Sequence, residues 1–227
     1  MALIFGLFPA CAIAQDGVVH EASRWVNAAS AKVRLILPAT ISGGEGRGAV
    51  QIELPADSKT YWRNPGETGV PTIASFDGST GLADLALEYP VPVAFDDGAG
   101  GISIGYTSGL AFPIRFKVTG GAVKLAVALE FGVCTKTMCI PAQASLTLEP
   151  GAGQAAPELA EIIGKARAAV PLPRPPGAGE GIGIASAQRG ADDGKVVLDV
   201  VARVTPGDSA PDLFVDAPDF YEVKRLD

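Results

Sequence analysis

Cys134 and Cys139, with four residues between them, are the side chains in this sequence best suited to chemistry. A cysteine pair can exchange electrons with other disulfides, hold a soft metal, or close a structural bond. The pair lies in the stretch Gly132-Val133-Cys134-Thr135-Lys136-Thr137-Met138-Cys139-Ile140-Pro141. Before it, Leu125, Val127, Leu129, Phe131 and Val133 are apolar at every second position; after it, Ile140, Ala142, Ala144, Leu146 and Leu148 repeat the pattern. A period of two predicts half-buried strands, and a short connection between two of them predicts an antiparallel hairpin. Each cysteine has the opposite parity to its own apolar series, so both sulfurs are expected on the face away from the core, opposed across the ladder. Directly opposed Cβ atoms lie about 4.5–5.5 Å apart. A disulfide needs roughly 3.5–4.5 Å, so a bond is feasible, with strain that would make it easier to reduce.

Three chemistries remain open at this point. A structural staple gains little here, because so small a ring contributes about 2 kcal/mol against about 4–5 kcal/mol for a 100-residue loop. Redox exchange is favoured by Lys136, whose charge between the cysteines would stabilise the attacking thiolate. The metal alternative is Cu(I) held by Cys134, Cys139 and Met138, two thiolates and a thioether; two cysteines are too few for structural zinc.

The bulk sequence offers no rival site. It has a single histidine, His20, so a multi-histidine metal centre or a Ser-His-Asp triad has little to draw on. No cofactor is expected. A net charge of −7 over 227 residues argues against nucleic acid or an anionic membrane as partner. The 28 glycines and 18 prolines suit a turn-rich β architecture. Ala2–Ala12 is short, apolar and uncharged, and Ala12-Ile13-Ala14 resembles a leader-peptide cleavage site, so residues 1–14 are expected to be a signal peptide that carries Cys11 away. Its basic leading region is missing, so the natural start is expected upstream of Met1. No other stretch is long enough to cross a bilayer as a helix. Cys134 and Cys139 are then expected in an exported, mature chain that does not insert into the membrane, in an oxidising compartment.

Residues 15–30 read as a polar lead-in. Strands are expected at Ala31–Leu37, Ala49–Leu54, Thr72–Phe76 and Ala83–Tyr89, with a glycine-rich turn at Ile41–Gly48. Leu110–Val118 contains Pro113 and is expected at a sheet edge. Asp96–Gly109 holds five glycines in fourteen residues and reads as a mobile loop. It could serve as a lid over the sulfurs, with Ile102, Ile104 or Tyr106 as the shielding group. Tyr61–Gly69 is an aromatic strand end running into a Pro-Gly turn. The strand spacing predicts an all-β sandwich over 25–150. A helix follows near Glu158–Val170, within a 151–183 segment that ends in a Pro/Gly linker. Ile184–Gln188, Lys195–Val204 and Leu213–Val215 read as the opening of a second β module over 184–227. That length is too short for a full sandwich, so a small module or a fragment is expected.

Three segments in order resemble a known family. Tyr-Trp-Arg-Asn-Pro-Gly-Glu-Thr-Gly at 61–69, Gly-Tyr-Thr-Ser-Gly-Leu-Ala-Phe-Pro-Ile at 105–114 and Cys-x4-Cys-Ile-Pro at 134–141 resemble the N-terminal periplasmic domain of the DsbD/ScsB thiol–disulfide reductases. The resemblance implies an immunoglobulin-like sandwich with Cys134 and Cys139 as the redox pair, Tyr61 beside it, and a cap near Tyr106. It also implies periplasmic thiol–disulfide interchange, with electrons passing from a membrane-embedded reductase domain to periplasmic thiol–disulfide proteins. The four-residue spacer favours the ScsB-like branch, which is associated with copper tolerance. Gly101-Ile102-Ser103-Ile104-Gly105 stands where DsbD itself has an acidic-aromatic cap. No Cys-x-x-Cys follows, so a separate electron donor is expected. Cys134 is expected to bond the partner and Cys139 to resolve, because Pro141 crowds Cys139. The competing expectation is a copper-binding or structural sandwich whose disulfide never turns over.

Overall fold

Alternating apolar residues need a second apolar layer to cover them, and this chain supplies it with a second sheet. The computed structural model describes residues 19–66, 68–96, 101–178, 183–193, 195–204 and 213–216. The expected signal peptide at 1–14 lies outside them. Thirteen strands precede a single described helix: β1 (His20–Ala22), β2 (Val26–Ala28), β3 (Ala31–Pro38), β4 (Gly44–Glu53), β5 (Thr60–Gly66), β6 (Ile73–Ser75), β7 (Leu82–Leu87), β8 (Val93–Asp96), β9 (Ile102–Tyr106), β10 (Leu110–Val118), β11 (Leu125–Cys134), β12 (Cys139–Leu148) and β13 (Gln154–Ala155). Helix α1 (Glu158–Ala168) follows, then β14 (Gly183–Asp192) and β15 (Lys195–Arg203).

One layer is a seven-stranded sheet in the order β13-β1-β3-β4-β10-β7, with β2 also on β3. The other layer holds β12-β11-β6 and β5-β9-β8, joined by an antiparallel bridge between Lys59 and Cys134. Val33, Leu35, Val50, Ile52, Phe112, Ile114 and Phe116 of the first layer meet Leu125, Val127, Leu129, Phe131, Leu146 and Leu148 of the second in one buried cluster. The result is the expected immunoglobulin-like β-sandwich. Helix α1 packs Leu159, Ile163 and Ala166 on the outer face of the first sheet, over Ile36, Ala49 and Ala111. That second cover explains why β3 is buried on both faces at residues 35–37. The first sheet extends past both ends of the 25–150 span, through β1 and β13.

Several local expectations change. Strand β4 begins at Gly44, so most of the expected 41–48 turn is strand. Gly46 and Gly48 are there for space: a Cβ on Gly46 would overlap the Phe116 ring, and one on Gly48 would lie 2.6 Å from Leu37. Pro113 sits in β10, between β4 and β7, and not at an edge. Its carbonyl accepts the Glu88 N–H at 2.8 Å, so its nitrogen faces the same side, where β7 has already ended at Leu87. The missing donor therefore costs no bond to β4. The polar lead-in contains β1 and β2, and the expected 96–109 loop contains β9.

Candidate functional site

Strands β11 and β12 pair without a break from Leu125↔Leu148 to Cys134↔Cys139. The two cysteines form a disulfide. On its other side Cys134 is bonded twice to Lys59: the Lys59 N–H donates to the Cys134 carbonyl at 2.8 Å, and the Cys134 N–H donates to the Lys59 carbonyl at 3.0 Å. Both polar groups of Cys134 thus point at Lys59. Cys134 and Cys139 are therefore a non-hydrogen-bonded pair, the kind that brings opposed side chains closest. Register and parity together put the sulfurs side by side. The loop between them is held by Thr135, whose N–H donates to the Met138 carbonyl at 2.8 Å and whose Oγ1 accepts the Met138 N–H at 3.2 Å.

The two cysteines are not equivalent. Cys134 is 1% exposed, whereas Cys139 is exposed. The parity argument expects both on an open face; the outer face is covered at the Cys134 end because β5 lies across it. Tyr61 of β5 lies at this end. Its ring lies against Gly132, where a Cβ would stand 3.1 Å from the ring, and against Gly69, where a Cβ would overlap it. Gly69 has φ +117°, which favours glycine in addition to the lack of space. The Tyr61 hydroxyl reaches 4.0 Å from Sγ of Cys139. Buried Thr72 ties the returning chain down, its hydroxyl donating to the Tyr61 carbonyl at 2.6 Å.

A second aromatic sits over the first. Strand β9 pairs with β5 at Tyr61↔Gly105, and β8 pairs with β9 at Val93↔Gly105. This brings Phe95 to Tyr61, with ring centroids 6.1 Å apart at 48°. The Lys59 ammonium lies 4.2 Å from the Phe95 ring centroid and donates to the Asp96 carbonyl at 3.5 Å. Phe95 and Lys59 escape the sequence reading. The signal for Phe95 is Phe95-Asp96-Asp97-Gly98, an acidic-aromatic run that opens the 96–109 stretch one residue early. Lys59 has no signal of its own, because only the isolated bridge just before β5 brings it to Cys134.

The expected shielding residues divide. Ile102 is 50% exposed. Ile104 and Tyr106 instead belong to the core, at 8% and 7% exposure. They point inward because 102–106 is a strand with the sandwich beneath it, not a loop. The Tyr106 hydroxyl donates to the Pro90 carbonyl at 2.9 Å, and its ring meets Phe112 edge-on at 5.2 Å. Burial pushes the Tyr106 hydroxyl far above the usual tyrosine range, with neighbouring Tyr89 adding to the shift. Burial likewise pushes Tyr89 up to about 12. Lys136 and Met138 are exposed in the hairpin loop, Met138 at 58%.

The sequence family described as "Thiol:disulfide interchange protein DsbD, N-terminal" matches residues 29–150, more than half of the chain. The N-terminal periplasmic domain of ScsB from Proteus mirabilis is similar in structure, with a TM-score of 0.60 and 26% identity, covering 80% of this chain and 69% of that one. Two yeast GAE domains also match: that of GGA1 (TM-score 0.33, 12% identity, 55% of this chain and 96% of that one) and that of GGA2p from Saccharomyces cerevisiae (TM-score 0.36, 13% identity, 56% and 97%). No curated protein matches. Among the described residues, no helix is long and apolar enough to cross a membrane.

Proposed function

The chain belongs to the DsbD N-terminal domain family and carries a thiol–disulfide interchange domain; on that premise we propose that its Cys134–Cys139 disulfide relays electrons in the periplasm, from a membrane-embedded thiol reductase to periplasmic thiol–disulfide proteins. The observation that carries this reading is the asymmetry of the disulfide: one sulfur belongs to a buried residue and the other to an exposed one. An incoming thiolate can reach only the exposed side. It attacks Sγ of Cys139, a new intermolecular S–S bond forms, the 134–139 bond breaks, and its electron pair stays on Sγ of Cys134 as a thiolate. A second thiolate of the donor then attacks the donor's own sulfur in the mixed disulfide and releases Cys139. The donor leaves oxidised and the domain holds two reduced cysteines. Reduced Cys139 attacks the substrate disulfide, and Cys134 closes the cycle by resolving the mixed disulfide. This order reverses the sequence expectation, in which Cys134 bonds the partner. Tyr61 forms the wall beside Cys139, and Phe95 lies over Tyr61. Localisation in the periplasm is supported by the leader-like residues 1–14 and by the periplasmic origin of the similar ScsB domain.

Two measurements test the reading. Equilibration in glutathione buffers should give a reduction potential above about −300 mV, and a lower value, typical of inert structural bonds, overturns exchange. Cys134→Ser, through its free Cys139 thiol, should accumulate a mixed disulfide with an oxidised thioredoxin-like partner, while Cys139→Ser should not. The opposite pattern overturns the assigned order.

A further inference from the structure

We infer that Lys59, and not Lys136 of the hairpin loop, is the cation that receives the charge on the Cys134 sulfur when the disulfide opens. The inference rests on the proposed attack at Cys139. Residues directly paired across an antiparallel ladder project to the same face. Lys59 is paired with Cys134, and Cys134 with Cys139, so the three side chains stand abreast on one face of neighbouring strands. Adjacent strands are about 4.7–4.9 Å apart, which places the base of the Lys59 side chain within one strand spacing of Cys134.

The leaving sulfur needs such a neighbour. Cys134 is 1% exposed, so water cannot solvate the thiolate that forms there. Burial without a counter-charge disfavours a thiolate, and a nearby lysine offsets that cost. In the disulfide state the Lys59 ammonium rests on neutral partners, the Phe95 ring at 4.2 Å and the Asp96 carbonyl at 3.5 Å. A thiolate is a stronger attractor than either, because it carries a full charge in a site of low polarity. Besides Lys59, the described charged side chains here include exposed Asp96 on β8 and exposed Lys136 in the loop. The exposed side chain of Lys136 at the loop tip is screened by water. In the chemical step the electron pair of the broken S–S bond stays on Cys134, and no proton moves. Lys59 lowers the basicity of that leaving sulfur, and a less basic thiolate leaves faster. It acts as a positioning cation and forms no bond to the partner.

Lys59 also touches Phe95, so its loss could open access to the disulfide and hasten reduction. The test therefore starts from a Phe95→Leu variant, in which that contact is already gone. Reduction by dithiothreitol, followed by stopped-flow fluorescence, should be about tenfold slower in F95L/K59M than in F95L, the effect of raising the leaving thiol's basicity. Lys59→Arg in the same background should stay within about twofold, because the charge is kept. Lys136→Met should also stay within about twofold. A rate in F95L/K59M equal to or above that of F95L overturns the inference, and so does an equal slowing from Lys136→Met. Lys59→Gln replaces Lys59→Met should the latter fail to fold. Dithiothreitol reduces any accessible disulfide, so the rate comparison stands even where the wild-type potential defeats the exchange reading.

Discussion

The antiparallel hairpins β11–β12 and β14–β15 are of similar length, yet the first is seated on a core and the second is not. In β11 the residues Leu125, Val127, Leu129, Phe131 and Val133 are all buried, and in β12 Ala142, Ala144, Leu146 and Leu148 are buried in turn. In β15 Val196, Leu198 and Val201 are 67%, 51% and 57% exposed. The sequence difference is one of pattern. Leu125–Val133 puts its large apolar residues on one face; Val196-Val197-Leu198 and Val200-Val201-Ala202 put them on both. A single apolar face fixes register, because a slip by one residue would turn the whole set outward. Pairing in β11–β12 is accordingly unbroken up to Cys134↔Cys139, whereas β14–β15 shifts between Ile184 and Ser186. A disulfide at the end of a ladder needs the first kind of hairpin, since its two sulfurs are placed by every pair beneath them.

The largest test of this contrast compares one residue from each. Phe131 is fully buried beneath the cysteine end of β11. Phe131→Ala should cost about 3–5 kcal/mol in urea unfolding. Leu198→Ala in β15 should stay within about 0.5 kcal/mol, as exposed substitutions do. Similar losses at both positions would break the distinction.

The parts of the site that follow from local pattern were legible in the sequence. The hairpin, the opposition of Cys134 to Cys139 and the sandwich all come from period-two alternation and turn residues. The burial of Cys134 was not legible, because the segment bonded beside it, Lys59 and the start of β5, arrives from more than seventy residues earlier. Tyr61 itself was drawn to the site by family resemblance, and its space comes from Gly69 and Gly132, which have no side chain to reveal a role. The glycine density that made 96–109 read as a loop hid β9, whose Gly105 is where a Cβ would strike the Thr60 carbonyl. Once 102–106 is a strand, Ile104 and Tyr106 fall into the core, and Phe95 on the neighbouring strand takes the position above Tyr61. Close packing of backbone on backbone selects glycine for the same reason that a flexible loop does, and sequence alone cannot separate the two.

Alkaline pH sharpens the contrast from the core side. Tyr106 is held neutral by burial, while in the unfolded chain it ionises near about pH 10. Its folded pKa is raised, so the stability it contributes is full below about pH 10 and is lost as pH rises further. Tyr106→Phe should lower stability by about 1 kcal/mol at neutral pH, from loss of the hydrogen bond to Pro90. Urea midpoints above about pH 10 should then converge and cross, because the variant has one fewer group to ionise on unfolding. A constant gap across that range would show that Tyr106 ionises equally in both states. The hairpin β14–β15 contains no tyrosine and should not share this dependence.

The smallest expected effect lies where the chain beyond β15 touches the sandwich. Residues 213–216 return to β5: Phe214 meets Trp62 edge-on at 6.3 Å, Asn64 Nδ2 donates to the Val215 carbonyl at 3.5 Å, and Arg63 pairs with Asp216 at 2.9 Å. Arg63 is also stacked near Trp62 and Tyr89, at 5.1 and 4.9 Å from their centroids. Trp62, Arg63 and Asn64 directly follow Tyr61 on β5. The ion pair is substantially exposed, at 40% and 55% for its two side chains, so water and salt screen it. Asp216→Asn should therefore cost under about 1 kcal/mol at low salt and nothing measurable at high salt. A larger, salt-independent loss would mean that the 213–216 contact is a packed part of the sandwich, held by Phe214 on Trp62 more than by charge. The contrast between the two hairpins would then end at Arg203, and the anchored region would resume after it, on the strand that carries the cover of the disulfide.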